Sequence, residues 1–303
     1  MRKNCNTFLL ISSLVTLIFN FTKAEYEGTT GAIILSQPIG VKATAMAEAY
    51  TALNGNTDCL YYNPAGLVTL KEKQISFSYQ TGIDDDNLST FNFGLPKQNS
   101  SIGGSFLYYN ANYIDLFDIS GNLKVVRAQQ DYLLTLSYSF SLMKNISMGF
   151  SGKILNSILV ENFSTTSLAF DCGGLYNKNY FSVGFAVQNI GTGLKYYKEN
   201  DPLPTTIRIG ISYQLNNLIT SLDIVKSNEE NIEKNFGLEY LIWNLFALRG
   251  GCKIDYKIGS LTYGIGFKFN EFEINYAGEK IEKLNLTHKF SLTFKFRNEK
   301  TDI

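Results

Sequence analysis

The chain is poor in the side chains that usually carry chemistry. It has one histidine, His288, and four cysteines in 303 residues. Cys5 lies ahead of the apolar stretch at the N-terminus, out of place for lipidation. Cys59, Cys172 and Cys252 form an odd, widely spaced set, which makes neither a disulfide framework nor a zinc site. There is no Gly-x-Ser-x-Gly elbow. Asp84-Asp85-Asp86 lacks the spacing and the glycine of a calcium loop and reads as a solvated turn. These absences argue against an enzyme and imply no cofactor and no metal. With 27 basic and 27 acidic residues, no nucleic-acid surface is indicated. Beyond residue 24 no apolar run approaches the ~20 residues that a membrane-spanning helix requires.

The one apolar run is N-terminal. Arg2 and Lys3 precede Phe8–Phe19, and the segment closes on Thr22-Lys23-Ala24. A basic start, a short apolar core and a small residue are the parts of a secretory signal, with cleavage expected after Ala24. An N-terminal anchor is the alternative, but the run is short for one. Removing residues 1–24 takes three basic and no acidic residues. That leaves 24 basic against 27 acidic, a net charge of −3.

The whole chain is rich in Phe (22), Tyr (19) and Gly (25), and beyond the N-terminal part it alternates. Ile75, Phe77 and Tyr79 interleave with Gln74, Ser76, Ser78 and Gln80. Leu261, Tyr263, Ile265, Phe267 and Phe269 interleave with Thr262, Gly264, Gly266 and Lys268. A period of two means strands with one apolar and one polar face. Fourteen such segments are predicted between residues 74 and 296, most of them as long as the ~9–11 residues of a tilted membrane-spanning strand. Tight connections such as Asn216–Asn217 and Asn270 alternate with longer ones such as 111–130 and 191–203. The 111–130 stretch is expected to hold its own hairpin around Ser120-Gly121-Asn122. Short turns at one rim, long loops at the other and an even strand count are the pattern of a transmembrane barrel. The polar face is mostly small, which suits a crowded interior better than a water-facing surface. A soluble β protein is the alternative.

Residues 25–73 do not alternate. Val41–Leu53 is Ala-rich and predicts a short helix. Asn63 followed by Pro64 is helix-start chemistry, a capping side chain and then a proline at the first helical position. The expected organisation is a signal segment (1–24), a plug (25–73), an all-β, 14-stranded antiparallel transmembrane barrel (74–296) and a tail (297–303).

The order of these parts carries a resemblance. Ala-Tyr-Thr-Ala-Leu (49–53), then Leu-Tyr-Tyr-Asn-Pro-Ala-Gly-Leu (60–67), then a first strand, resembles the N-terminal plug of FadL-like outer-membrane proteins, and more closely the PorV/PorQ branch. Strand phrases such as Asp171-Cys172-Gly173-Gly174 and Ala247-Leu248-Arg249-Gly250-Gly251 are similar to that family's as well. The chain departs from it at Ala45, Ala47 and Glu48, where Gly is frequent, and in the Arg297–Ile303 tail beyond Phe296. The resemblance implies a non-enzymatic protein of the bacterial outer membrane. Its partners would be membrane lipid and either secretion-system proteins with exported cargo or, alternatively, a small hydrophobic molecule passed through the plug and out sideways. It marks Asn63, Pro64, Ala65 and Gly66 as the plug motif.

If the aromatic register faces lipid, the opposite register points inward. It carries Lys153, Asp171, Arg208, Asp223, Glu239, Arg249, Lys253, Lys268, Glu273, Lys289 and Lys295, which are expected to pair because a lone charge out of water is costly. A satisfied interior network and a ligand site are both compatible with that set. His288, in the aromatic register of the last strand, is expected to point outward near a rim. A closed barrel has every strand paired, so the protein in mild detergent should run at a different position on gels before and after boiling. Identical migration, with recovery from the soluble periplasmic fraction, would reject the barrel.

Overall fold

The structure, a computed structural model, describes residues 31–82, 86–117, 120–196, 198, 200–228, 232–254, 260–281 and 286–296. The expected signal segment, residues 25–30 of the expected plug, the expected tail, Asp84 and Asp85 lie outside the described residues. The strands are Lys73–Thr81 (β1), Asn87–Pro96 (β2), Ser100–Asn110 (β3), Tyr113–Phe117 (β4), Leu123–Arg127 (β5), Gln129–Met143 (β6), Ile146–Leu159 (β7) and Phe163–Lys178 (β8). They continue with Phe181–Gly191 (β9), Thr206–Leu215 (β10), Leu218–Ser227 (β11), Glu233–Ile242 (β12), Phe246–Ile254 (β13), Ser260–Phe269 (β14), Phe272–Ile281 (β15) and Leu286–Phe296 (β16). Fourteen of them close into an antiparallel barrel, with β16 returning to pair with β1. β4 and β5 form a separate hairpin, turning at Gly121 in the left-handed region, as the 111–130 stretch predicted.

The alternation sorts the side chains as a lipid-facing barrel requires. On β14, Leu261 and Ile265 are 67% and 57% exposed, while Thr262 is 5% exposed. The apolar half points out and the small polar half points in, the reverse of a soluble β protein. The short turns use asparagine where the backbone must be left-handed: Asn179, Asn216 and Asn270 have φ of 56°, 50° and 52°.

The core of this molecule is its own N-terminal segment, which fills the lumen. It begins at the long-loop end, where Gly31 N–H donates to Pro202 O at 3.2 Å. There Ile34 and Ile39 pack with Leu107, Leu133, Leu155 and Leu194. It then winds once around the inside of the wall. Ala45 meets β14, Met46 meets β12, Thr51 meets β9, Ala65 meets β7 and Leu70 meets β2 before the chain enters β1. At each of these steps the wall residue is a glycine. A Cβ on Gly264 would lie 2.5 Å from Ala45 Cβ, one on Gly184 2.0 Å from Thr51 O, and one on Gly149 2.3 Å from Ala65 N. Inward glycines thus stand where the inner segment comes closest to the wall.

The helix expected over Val41–Leu53 is shorter, ending at Ala45. The chain turns away because Ala47 and Glu48 are left-handed, with φ of 52° and 57°. The wall supplies the hydrogen bonds that further helix would have made. Asp223 accepts from Tyr50 N and Thr51 N, and Arg208 donates to Glu48 O. Propensity loses here to a polar wall.

Gly149 and Gly152 give a paired test on one strand. A Cβ at Gly149 meets the inner segment's backbone, whereas one at Gly152 has open space. Gly149→Ala should destabilise the protein by about 1–3 kcal/mol through overpacking, and Gly152→Ala by no more than about 0.5 kcal/mol. Denaturant unfolding from lipid vesicles measures both. Equal midpoints for the two variants would show that the segment does not press on the wall.

Candidate functional site

Asn63, Pro64, Ala65 and Gly66 lie at the turn where the inner segment is tied to β7 and β8. Asn63 is fully buried. Its Nδ2 donates to Thr51 O at 2.8 Å and to Gly174 O at 3.1 Å, and its Oδ1 accepts from Ala65 N at 3.1 Å. One side chain thus caps the short 3₁₀ helix Pro64–Thr69, joins two parts of the segment and fastens both to the wall. Pro64 opens that helix at the position where a missing N–H costs nothing. Ser147 Oγ donates to Ala65 O at 3.2 Å. Gly66 is needed for closeness, since a Cβ there would sit 2.8 Å from Cys59 Sγ and 2.9 Å from Leu53 O.

The inward charges are brought together as pairs along the wall. Because the segment occupies the lumen, they do not reach across it. Lys153 meets Asp171 at 2.6 Å, and Arg249 meets Glu239 at 2.5 Å and Glu273 at 3.7 Å. Lys295 bonds Glu273 at 2.7 Å, and half-buried Lys268 lies opposite Glu273 in the ladder. Arg208 is 3.7 Å from Asp223 and also stacks over the Tyr62 ring. Asp223 accepts from Tyr50 N, Thr51 N and Thr51 Oγ1 at 3.0, 2.9 and 2.6 Å. Three hydrogen bonds to this one carboxylate thus tie the segment to the wall.

Several members of this network were not found from sequence. Lys42 pairs with Glu239 at 3.1 Å, and Glu48 pairs with Lys253. Both sit in the non-alternating segment, where no register says which way a side chain points. Glu279 takes Lys253 at 2.8 Å and faces Lys289 at 3.9 Å. It shares the inward parity of Glu273 on β15 but was not in the predicted set. Asp58 accepts from Ala43 N at 3.2 Å. Burial pushes its carboxyl up to about 6, against the opposing pull of that N–H and of Lys42.

A bulge also escaped the sequence reading. Gln188 and Asn189 of β9 together oppose Asp171 of β8, and Asn189 is left-handed. Two consecutive side chains therefore turn inward. Gln188 donates to Tyr61 O at 2.6 Å, and Asn189 accepts from Lys153 at 2.8 Å while its N–H donates to Asp171 at 2.8 Å. Elsewhere the ladders from β1 through β3 to β6 run without a shift of register.

Among the described residues two cavities lie on the long-loop side of the segment. One, of 210 Å³, is bounded by Leu35, Tyr61, Lys153, Arg208 and Val225. The other, of 320 Å³, lies near Gln80, Tyr109 and Ile114, the last from the β4–β5 hairpin. On the short-turn side the void among Lys42, Asp58, Gln74 and Lys295 is 20 Å³. Among the described residues the lumen thus holds more space toward the loops than toward the turns. His288 is exposed on the outer face, hydrogen-bonded to Tyr276 at 2.9 Å. Among the described residues no three His, Cys, Asp or Glu side chains cluster as metal ligands.

No family model and no curated protein sequence matches the chain. Solved structures do. The toluene transporter TodX of Pseudomonas putida superposes with a TM-score of 0.68 at 10% identity, over 86% of this chain and 99% of that one. The CymD monoaromatic hydrocarbon channel gives 0.64 at 13% identity, over 90% and 100%. A FadL homologue of Pseudomonas aeruginosa gives 0.61 at 11% identity, over 85% and 98%. At such identities the likeness is one of fold, and the fold shared is a FadL-like, 14-stranded barrel.

Proposed function

We propose that this chain is an outer-membrane channel for small hydrophobic molecules, received from the loop side and held above a plug formed by its own N-terminal segment. The observation that carries the reading is the asymmetric lumen, with cavities of 210 and 320 Å³ facing the loops and a 20 Å³ void beneath. An apolar outer face and full strand closure support a place in a bacterial outer membrane. The channels that share this fold over nearly their whole length support the transport role. Passage then requires the plug's ties to the wall, Asp223 and Asn63 foremost, to yield.

A second reading, a protein-export component resembling PorV/PorQ, has one observation in its favour. The β4–β5 hairpin at the loop-side rim leaves Tyr113, Phe117, Leu123 and Val125 exposed, an apolar surface suited to a protein partner. The comparisons offer nothing further for it.

The two readings part on uptake. Expressed in the outer membrane of a host without such a channel, the chain should raise entry of a labelled monoaromatic hydrocarbon several-fold over vector alone. Val225→Trp, which fills the smaller cavity, should return uptake toward background with the barrel still assembled. Wild-type barrel at normal levels with no gain in uptake would reject the channel and leave the export reading.

A further inference from the structure

The smaller cavity has a charge balance that selects its occupant. Six charged residues line it: Glu48, Lys153, Arg208, Glu233, Lys253 and Glu279. All three cations are already answered. Lys153 has Asp171 at 2.6 Å, and Lys253 has Glu48 and, at 2.8 Å, Glu279. Arg208 has Asp223 at 3.7 Å, the Glu48 carbonyl at 2.8 Å and the Tyr62 ring. Three carboxylates line the same space. A carboxylate entering here would give up its water and find no uncompensated cation in exchange.

The rest of the lining suits a neutral molecule. Leu35, Ile39, Leu133 and Val225 supply apolar surface, and Tyr61 and Tyr62 supply ring faces. Ser36, Thr206 and Ser227 line it too; Thr206 Oγ1 donates to Pro204 O at 3.0 Å and Ser227 Oγ to Asn228 Oδ1 at 3.4 Å, which leaves their lone pairs to accept a hydrogen bond. A pure hydrocarbon would cover those oxygens without bonding to them, at a cost. The volume, 210 Å³, exceeds the ~150 Å³ of a void that accepts benzene and falls below the ~300 Å³ at which drug-sized pockets begin. It fits about one ring with a short polar arm.

We propose that this cavity binds a small uncharged amphipathic molecule, a single ring or short chain bearing one hydroxyl or carbonyl, and that its neutralised cations exclude carboxylates. This rests on the channel reading and names the ligand class for it. Lys153 sets the exclusion most directly, because Asp171 holds it from the neighbouring strand. Asp171→Asn keeps an oxygen to accept the Asn189 N–H and removes the charge that answers Lys153.

The test uses the mature chain in lipid nanodiscs, with empty nanodiscs as blank. Saturation-transfer NMR compares 2-phenylethanol with phenylacetate, which differ in charge and little in size. The wild type should bind the alcohol at least about ten-fold more tightly, a free-energy difference that one uncompensated charge readily supplies. In Asp171→Asn, phenylacetate should gain about ten-fold while the alcohol's affinity is unchanged, which also shows that the variant is folded. Val225→Trp should abolish binding of both. Phenylacetate binding as tightly as the alcohol in the wild type would overturn the proposal and leave the channel reading intact. So would the absence of any phenylacetate gain in an Asp171→Asn protein that still binds the alcohol. If neither ligand binds above the blank, the site is wrong. The uptake measurement then decides separately whether the channel reading falls with it.

Discussion

A polar backbone inside a closed barrel has to find partners, and that requirement organises the rest of the molecule. Residues 46–57 form almost no regular secondary structure, yet they are enclosed by the wall. Buried backbone N–H and C=O groups left unpaired would each cost on the order of 1–3 kcal/mol. The wall meets this demand in two ways. Inward glycines let the segment come close, and inward polar side chains bond its backbone: Asp223 to Tyr50 and Thr51, Arg208 to Glu48, Ser212 to Ala52, Thr262 to Ala45 and Lys289 to Pro38. The lumen's polarity is thus matched to this one segment and is not that of a generic water-filled pore.

The same arrangement explains why the charges pair as they do. With the centre filled, a charge on the wall has only nearby strands and the segment to answer it. Arg249 reaches Glu239 on the flanking β12 and Glu273 on β15, passing over Gly266 of β14, and Glu239 also takes Lys42 from the segment. Breaking such a pair by truncating one side is costly, ~3–5 kcal/mol, because the other charge stays buried. A displaced segment would leave several such charges behind. The structure therefore resists opening toward the short turns, whereas the loop side, with its two cavities, stays accessible.

Much of the barrel was legible because strands announce themselves by alternation. Leu261 to Phe269 reads the same way in sequence and in space, and the inward parity of Arg208, Asp223, Glu239 and Arg249 follows from it. Legibility ended where the period ended. Alanine content over 41–53 spoke for a longer helix, and nothing local revealed that Asp223, some 170 residues away, would take the amides of Tyr50 and Thr51. The bulge at Gln188–Asn189 hid for a related reason: one extra residue breaks parity without changing composition. Asn63 was different. Its capping role was readable from the Asn-Pro pair, but its hydrogen bond to Gly174 on the wall was not, since that contact exists only once the barrel has closed.

The claim at the centre of this account is that the inner segment belongs to the folded core through bonds to the wall. Hydrogen exchange at the amides of Tyr50 and Thr51, in the lipid-embedded protein, reads it directly. Both should be protected to a degree comparable with the barrel strands, and Asp223→Ala should speed their exchange by on the order of 100-fold, the equivalent of losing charge-assisted bonds. Exchange of these two amides at the rate of an unstructured chain in the wild type would contradict the account, because the segment would then be lodged in the lumen without being part of it.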